Sequence, residues 1–213
     1  MSKPSIKNNP PVLKPRKAIE FYEQRLTSAR KLGDRRAEGN ALGNLGLTYV
    51  ELGNVSKAIE IYEQRFLIAR KLSDRLGEAN TLGNLGIAYY SLGNLPKAID
   101  LYEQQLLITR QISDHIGEGN SLSNLGVAYY NLGETRKAIE LYEQSLPIFR
   151  DLGDRHGEGA ALNNLGLAHE TLGDIPQAIL LIEQALTILE AIESPAAEQA
   201  RAKLTALRSS SPK

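Results

Sequence analysis

Cysteine and tryptophan are absent from the 213-residue chain, and methionine occurs once. Without thiols there is neither a disulfide framework nor a thiolate metal site. Histidine is nearly as scarce, at three copies, which leaves little material for a metal centre or for imidazole catalysis. Neither sign of charge is in excess, because Lys+Arg and Asp+Glu number 25 each. Bulk attachment to nucleic acid or to an anionic membrane surface needs a basic surplus, so neither is expected as a partner. No run of 18 apolar residues occurs, so no membrane-spanning helix is expected. Residues 1–14 are polar, basic and proline-rich and lack the apolar stretch of a secretory signal. The expectation is a cytoplasmic protein whose ends, 1–14 and 209–213, are disordered tails.

What the chain has in abundance is repetition. Lys-Ala-Ile recurs at 17–19, 57–59, 97–99 and 137–139, with Gln177-Ala178-Ile179 as a fifth copy, and Asn-Leu-Gly recurs at 44–46, 84–86, 124–126 and 164–166. Both spacings are 40 residues. Four full units follow, 34–73, 74–113, 114–153 and 154–193, preceded by a half unit at 15–33 and followed by a segment at 195–208. Each unit opens with Asp (34, 74, 114, 154), a residue whose carboxylate caps a helix. Glu38, Glu78, Glu118 and Glu158 then sit in the first turn, where the helix dipole favours negative charge. The first helix stops at Gly53, Gly93, Gly133 or Gly173, and a second runs to about Leu72 and its equivalents. Each unit is therefore a helix hairpin, and the class is all-α.

At 100° per residue, Leu42, Leu45, Tyr49 and Leu52 share one face of the first helix, and Gly39, Gly43 and Gly46 share a flank. A glycine inside a helix costs about 1 kcal/mol relative to alanine. Gly46, Gly86, Gly126 and Gly166 nevertheless recur in every unit, which points to close approach of the second helix. Ala58, Ile59, Tyr62, Phe66 and Ile68 supply the facing stripe. Neither face can be buried within one unit, so the units must stack. Pro147 falls in the middle of the third unit's second helix, where a local bend is expected.

Leu45-Gly46, Tyr49, Gly53, Ala58 and Tyr62, with their copies, match the spacing of the tetratricopeptide repeat over about 180 residues. In its 40-residue unit the chain resembles the Partner-of-Inscuteable/LGN group and bacterial arrays attached to ATPases or proteases. The resemblance implies a right-handed superhelical solenoid of about ten helices, whose first helices line a concave groove that binds peptides.

Opposite the core face of the first helix runs a second line. It comprises Asn40, Asn44, Leu47 and Glu51; Asn80, Asn84, Ile87 and Ser91; Asn120, Asn124, Val127 and Asn131; and Ala160, Asn164, Leu167 and Thr171. By family geometry this line faces the groove, with Tyr90 and Tyr130 alongside as amphipathic anchors. Asparagine both donates and accepts, so a ladder of it suits the backbone of an extended peptide. Two readings stay open for Asn44, Asn84, Asn124 and Asn164: contact with a ligand, or bonds to backbone carbonyls of a neighbouring helix. Asn40, Asn80 and Asn120, lost at Ala160, suit a groove position. For Leu47, Ile87, Val127 and Leu167 the alternatives are a groove floor or packing between repeats.

Catalysis finds no constellation. His115 and His156 follow the opening Asp, His169 takes the place of Tyr49, and no nucleophile accompanies them. The expected function is a non-enzymatic scaffold that binds a protein or peptide partner and needs no metal or cofactor. The second expectation is a self-associating structural or sensor module, with a homodimer formed through the uncapped half repeat. Ala197, Ala200, Leu204 and Leu207, at helical spacing, predict that residues 195–208 form a capping helix.

Overall fold

The computed structural model describes residues 15–210, which form ten α-helices and no strand. They fall into two compact units, divided after Leu72. Residues 1–14 and 211–213, and with them most of the expected tails, lie outside the described residues.

The first unit holds α1 (Pro15–Leu32), α2 (Arg35–Glu51) and α3 (Val55–Lys71), with α2 packed against both neighbours. Leu42, Leu45 and Ile61 form its buried centre, and Ile19, Tyr22 and Leu26 of α1 close over it. The second unit holds α4 (Arg75–Ser91), α5 (Leu95–Gln111), α6 (His115–Asn131), α7 (Thr135–Leu152), α8 (Arg155–Thr171), α9 (Ile175–Ala191) and α10 (Ala196–Ser210). Each helix there packs on the next. In addition α4 touches α6 and α6 touches α8, so the first helices of successive hairpins form a layer of their own.

The opening aspartates cap their helices. Asp34, Asp74, Asp114 and Asp154 accept hydrogen bonds from the backbone N–H of Ala37, Gly77, Gly117 and Gly157. Losing such a cap costs about 1 kcal/mol. Each first helix ends one residue earlier than its sequence suggests. Leu52 is a cap residue and 45% exposed, not a member of the buried face, because the chain turns away there toward Gly53 at φ +74°. The helical assignment of α7 continues without a break through Pro147, whose ring is exposed.

The recurrent glycines mark where the two helices of a hairpin meet. A Cβ on Gly46, Gly86 or Gly126 would run into the ring of Tyr62, Tyr102 or Tyr142, and one on Gly166 would meet Ile182. Those rings are almost fully buried, and burial pushes the Tyr62 phenol up to about 12. The close approach therefore admits a side chain, the tyrosine, rather than bare backbone.

α10 lies along α9 and buries Ala197, Ala200, Leu204 and Leu207. Arg201 bonds Glu190 at 2.6 Å, and Arg208 pairs with Glu183.

Candidate binding face on the first helices

On α2, Asn40 and Leu47 are exposed and Asn44 is half-buried. The Asn44 amide donates to the Asn40 carbonyl of its own helix at 3.1 Å. That bond stays within α2, not to a neighbouring helix. On the second unit's first helices, Asn80, Ile87, Asn120 and Asn131 are exposed, while Asn84, Asn124, Asn164, Val127 and Leu167 are half-buried. Val127 packs against the core beneath, whereas Ile87 remains 42% exposed, so the apolar positions divide between packing and surface. Asn80, Asn84, Asn120, Asn124 and Asn164 make no side-chain hydrogen bond among the described residues. Each of these amides keeps both a donor and an acceptor unused by protein.

The tyrosines do more than flank this line. Asn131 of α6 donates to the Tyr90 hydroxyl of α4 at 2.9 Å, and to the Val127 carbonyl at 2.8 Å. The Tyr130 hydroxyl of α6 lies 2.9 Å from the Thr171 hydroxyl of α8. In the fourth unit Glu170 replaces the tyrosine and pairs with Lys203 of α10 at 3.0 Å. A chain of cross-helix bonds thus ties successive first helices together along the inner layer. Tyr90 and Tyr130 are half-buried against the core.

A second network went unread in the sequence. Glu38 is buried, and its carboxylate accepts from Arg30 of α1 at 2.9 Å and from Arg35 at 2.7 Å. Arg30 also donates to Gln64 of α3 at 3.1 Å. The motif repeats in the second unit: Arg150 and Arg155 hold Glu158, and Arg110 reaches both Glu118 and Gln144. The bond to Arg30 holds the Glu38 carboxyl below the usual range, against the opposing effect of burial. The signal was present as an Arg eight residues before each of these glutamates. It crosses a turn between helices, where helical periodicity does not look.

The histidines do not converge. The His115 ring lies 3.8 Å from Glu118 and that of His169 3.4 Å from Asp174, while His156 is exposed. No group of three or more His, Asp or Glu residues placed to hold a metal occurs among the described residues. No described helix is long and apolar enough to cross a membrane.

Stacked hairpins, glycine–tyrosine seams and a free inner layer define a helical-repeat interaction protein. Profiles of the Tetratricopeptide repeat family match residues 77–151 and 120–191, and another matches 41–76. The chain belongs to that family. Over 38 residues, 18% of this chain and 6% of the other, it is 58% identical to Homo sapiens G-protein-signaling modulator 1. The likeness is therefore local. Among solved structures it resembles BtubC (BKLC) from P. vanneervenii at 21% identity and a TM-score of 0.80, covering 91% of this chain and 82% of that one. It also resembles the nearly identical TPR-like repeats of a Podosopora anserina kinesin light chain candidate, at 25% identity, 79% and 84% coverage and a TM-score of 0.66. The fold is that of a protein–protein interaction scaffold.

Proposed function

We propose that the inner layer of the second unit binds an extended, uncharged segment of a partner protein. The observation that carries this is the set of unpaired amides at Asn80, Asn84, Asn120, Asn124 and Asn164, on helices that touch one another in succession. An extended peptide laid across α4, α6 and α8 offers one N–H and one C=O per residue to such amides. Ile87 and Leu167 supply apolar contact between them. Asn40, Asn44 and Leu47 present the same residues on the first unit. Each hydrogen bond adds only about 0.5–1.5 kcal/mol, so several must act together. The test is affinity capture from native lysate with wild type and with Asn80/Asn120→Ala, both exposed positions. A partner recovered by wild type and lost by the variant supports the groove. Equal recovery moves the binding surface elsewhere.

A second reading, self-association, is favoured by the exposure of Phe21 on α1, at 43%.

A further inference from the structure

α1 is built as a second helix, and among the described residues no first helix covers it. Phe21 stands 40, 80, 120 and 160 residues before Ile61, Leu101, Leu141 and Leu181; Ile61, Leu101 and Leu181 are 6%, 5% and 8% exposed and Leu141 is half-buried, against its own 43%. Leu32, at its end, is 78% exposed. Between α1 and α2 runs an open trough of about 310 Å³, lined by Tyr22, Arg25, Ser28 and Leu32 on one side and Asn40 and Asn44 on the other. In the second unit the place of Arg25 is taken by Gln105, which is buried against α4. The trough is where a first helix would lie.

The far end of the chain is its complement. α10 follows α9 through the left-handed Glu193, at φ 52°, just as α6 follows α5 through Ser113 at φ 55°. It holds the place of a first helix, and no second helix follows it among the described residues. Its buried stripe faces α9. The opposite side presents Ala202, Thr205 and Ser209, all exposed and short enough to admit an aromatic ring. Charge agrees with the pairing at one end. Glu198 lies in the first turn of α10 and Lys31 in the last turn of α1, the two ends that an antiparallel hairpin brings together.

We infer that α10 of one copy docks in the trough between α1 and α2 of a second copy, pairing with α1 as the first helix of a hairpin. The contact is heterologous, so copies add head to tail. This rests on the self-association reading and commits it to one geometry.

Sedimentation equilibrium of the full chain tests it, with Phe21→Arg and Ala202→Arg each blocking one face. Wild type should gain mass with concentration beyond a dimer. Each variant should remain monomeric alone. An equimolar mixture should form a one-to-one dimer and stop, because only one junction is intact. That dimer can form only if both variants are folded, and Leu32→Arg serves in place of Phe21→Arg if circular dichroism shows lost helicity. An Ala202→Arg chain that still dimerises overturns the head-to-tail contact while self-association stands. Wild type that stays monomeric to its solubility limit overturns both. Association that appears only after removal of residues 1–14 gives the trough to the chain's own N-terminal segment and overturns the inference.

Discussion

The seam inside each hairpin and the inner face of the first helices run down the same helices, yet the repeats agree about one far more closely than the other. Along the seam Gly46, Gly86 and Gly126 face Tyr62, Tyr102 and Tyr142 without variation, and the fourth pair keeps the glycine against Ile182. Along the inner face Asn40, Asn80 and Asn120 give way to Ala160, and Leu47 to Ile87, Val127 and Leu167. The seam is fixed by volume, since a ring that is 1–2% exposed leaves no room for another carbon. These positions of the inner face border solvent and tolerate change, whereas Asn44, Asn84, Asn124 and Asn164 beside them recur in all four units.

Breaking the seam should therefore have the largest effect. Tyr142→Ala removes a ring at 2% exposure and should cost about 3–5 kcal/mol. Gly126→Ala should cost about 1–3 kcal/mol by overpacking against that ring, although alanine is the better helix former by about 1 kcal/mol. Urea unfolding of the double variant decides the cause. With the ring gone, the added methyl should become neutral or stabilising, and strictly additive losses would refute the seam.

One position further round the helix, the contact is conserved in size rather than in residue. Gly43 lies against Arg65 and Gly83 against Gln105, Ser123 bonds Ser145 at 3.4 Å, and Asn163 stands in register with Ala185. As one partner grows, the other shrinks. Gln105 leaves its buried Oε1 without a hydrogen-bond partner. Gly83→Ser alone would crowd that amide, whereas Gly83→Ser with Gln105→Ser recreates the third unit's pair. The coupling between the two changes should be about 1–2 kcal/mol, read from chemical denaturation of both singles and the double.

Smaller still is the Arg–Glu network that joins hairpins on the outer side. Glu38→Gln should cost about 1 kcal/mol at neutral pH, because the paired arginines are half-exposed and partly screened. The folded carboxyl titrates below its unfolded value, so its contribution is complete above the unfolded pKa and is lost as pH falls through the folded one. Stability measured from neutral pH down to below the usual glutamate range should show wild type and variant converging. A constant gap would assign the loss to packing instead.

How much of this was legible follows the same division. Caps, hairpins and the glycine seam repeat at 40 residues, and the four aspartates and glycines announced them. Leu52 misled because helical phase continues past the residue at which the backbone turns. The Arg30–Glu38 and Tyr130–Thr171 bonds were not read, since each joins residues of different helices and neither belongs to a single helix's period. The asparagine line was visible as a pattern, but whether its amides point at protein or away from it depends on helix rotation.

The least expected loss is the most informative for that line. Asn84 is half-buried, a setting in which an asparagine usually serves the fold. Its amide nevertheless has no protein partner among the described residues, so deleting it leaves no donor or acceptor unsatisfied, the event that makes buried polar substitutions costly. Asn84→Ala and Asn124→Ala should therefore shift stability by no more than about 0.5 kcal/mol, and alanine's helix propensity favours the variant. Thermal unfolding of both gives the answer. Losses above about 1 kcal/mol would place these residues with the seam, as parts of the scaffold. Unchanged stability in both variants leaves binding as the physical reason to keep Asn84 and Asn124.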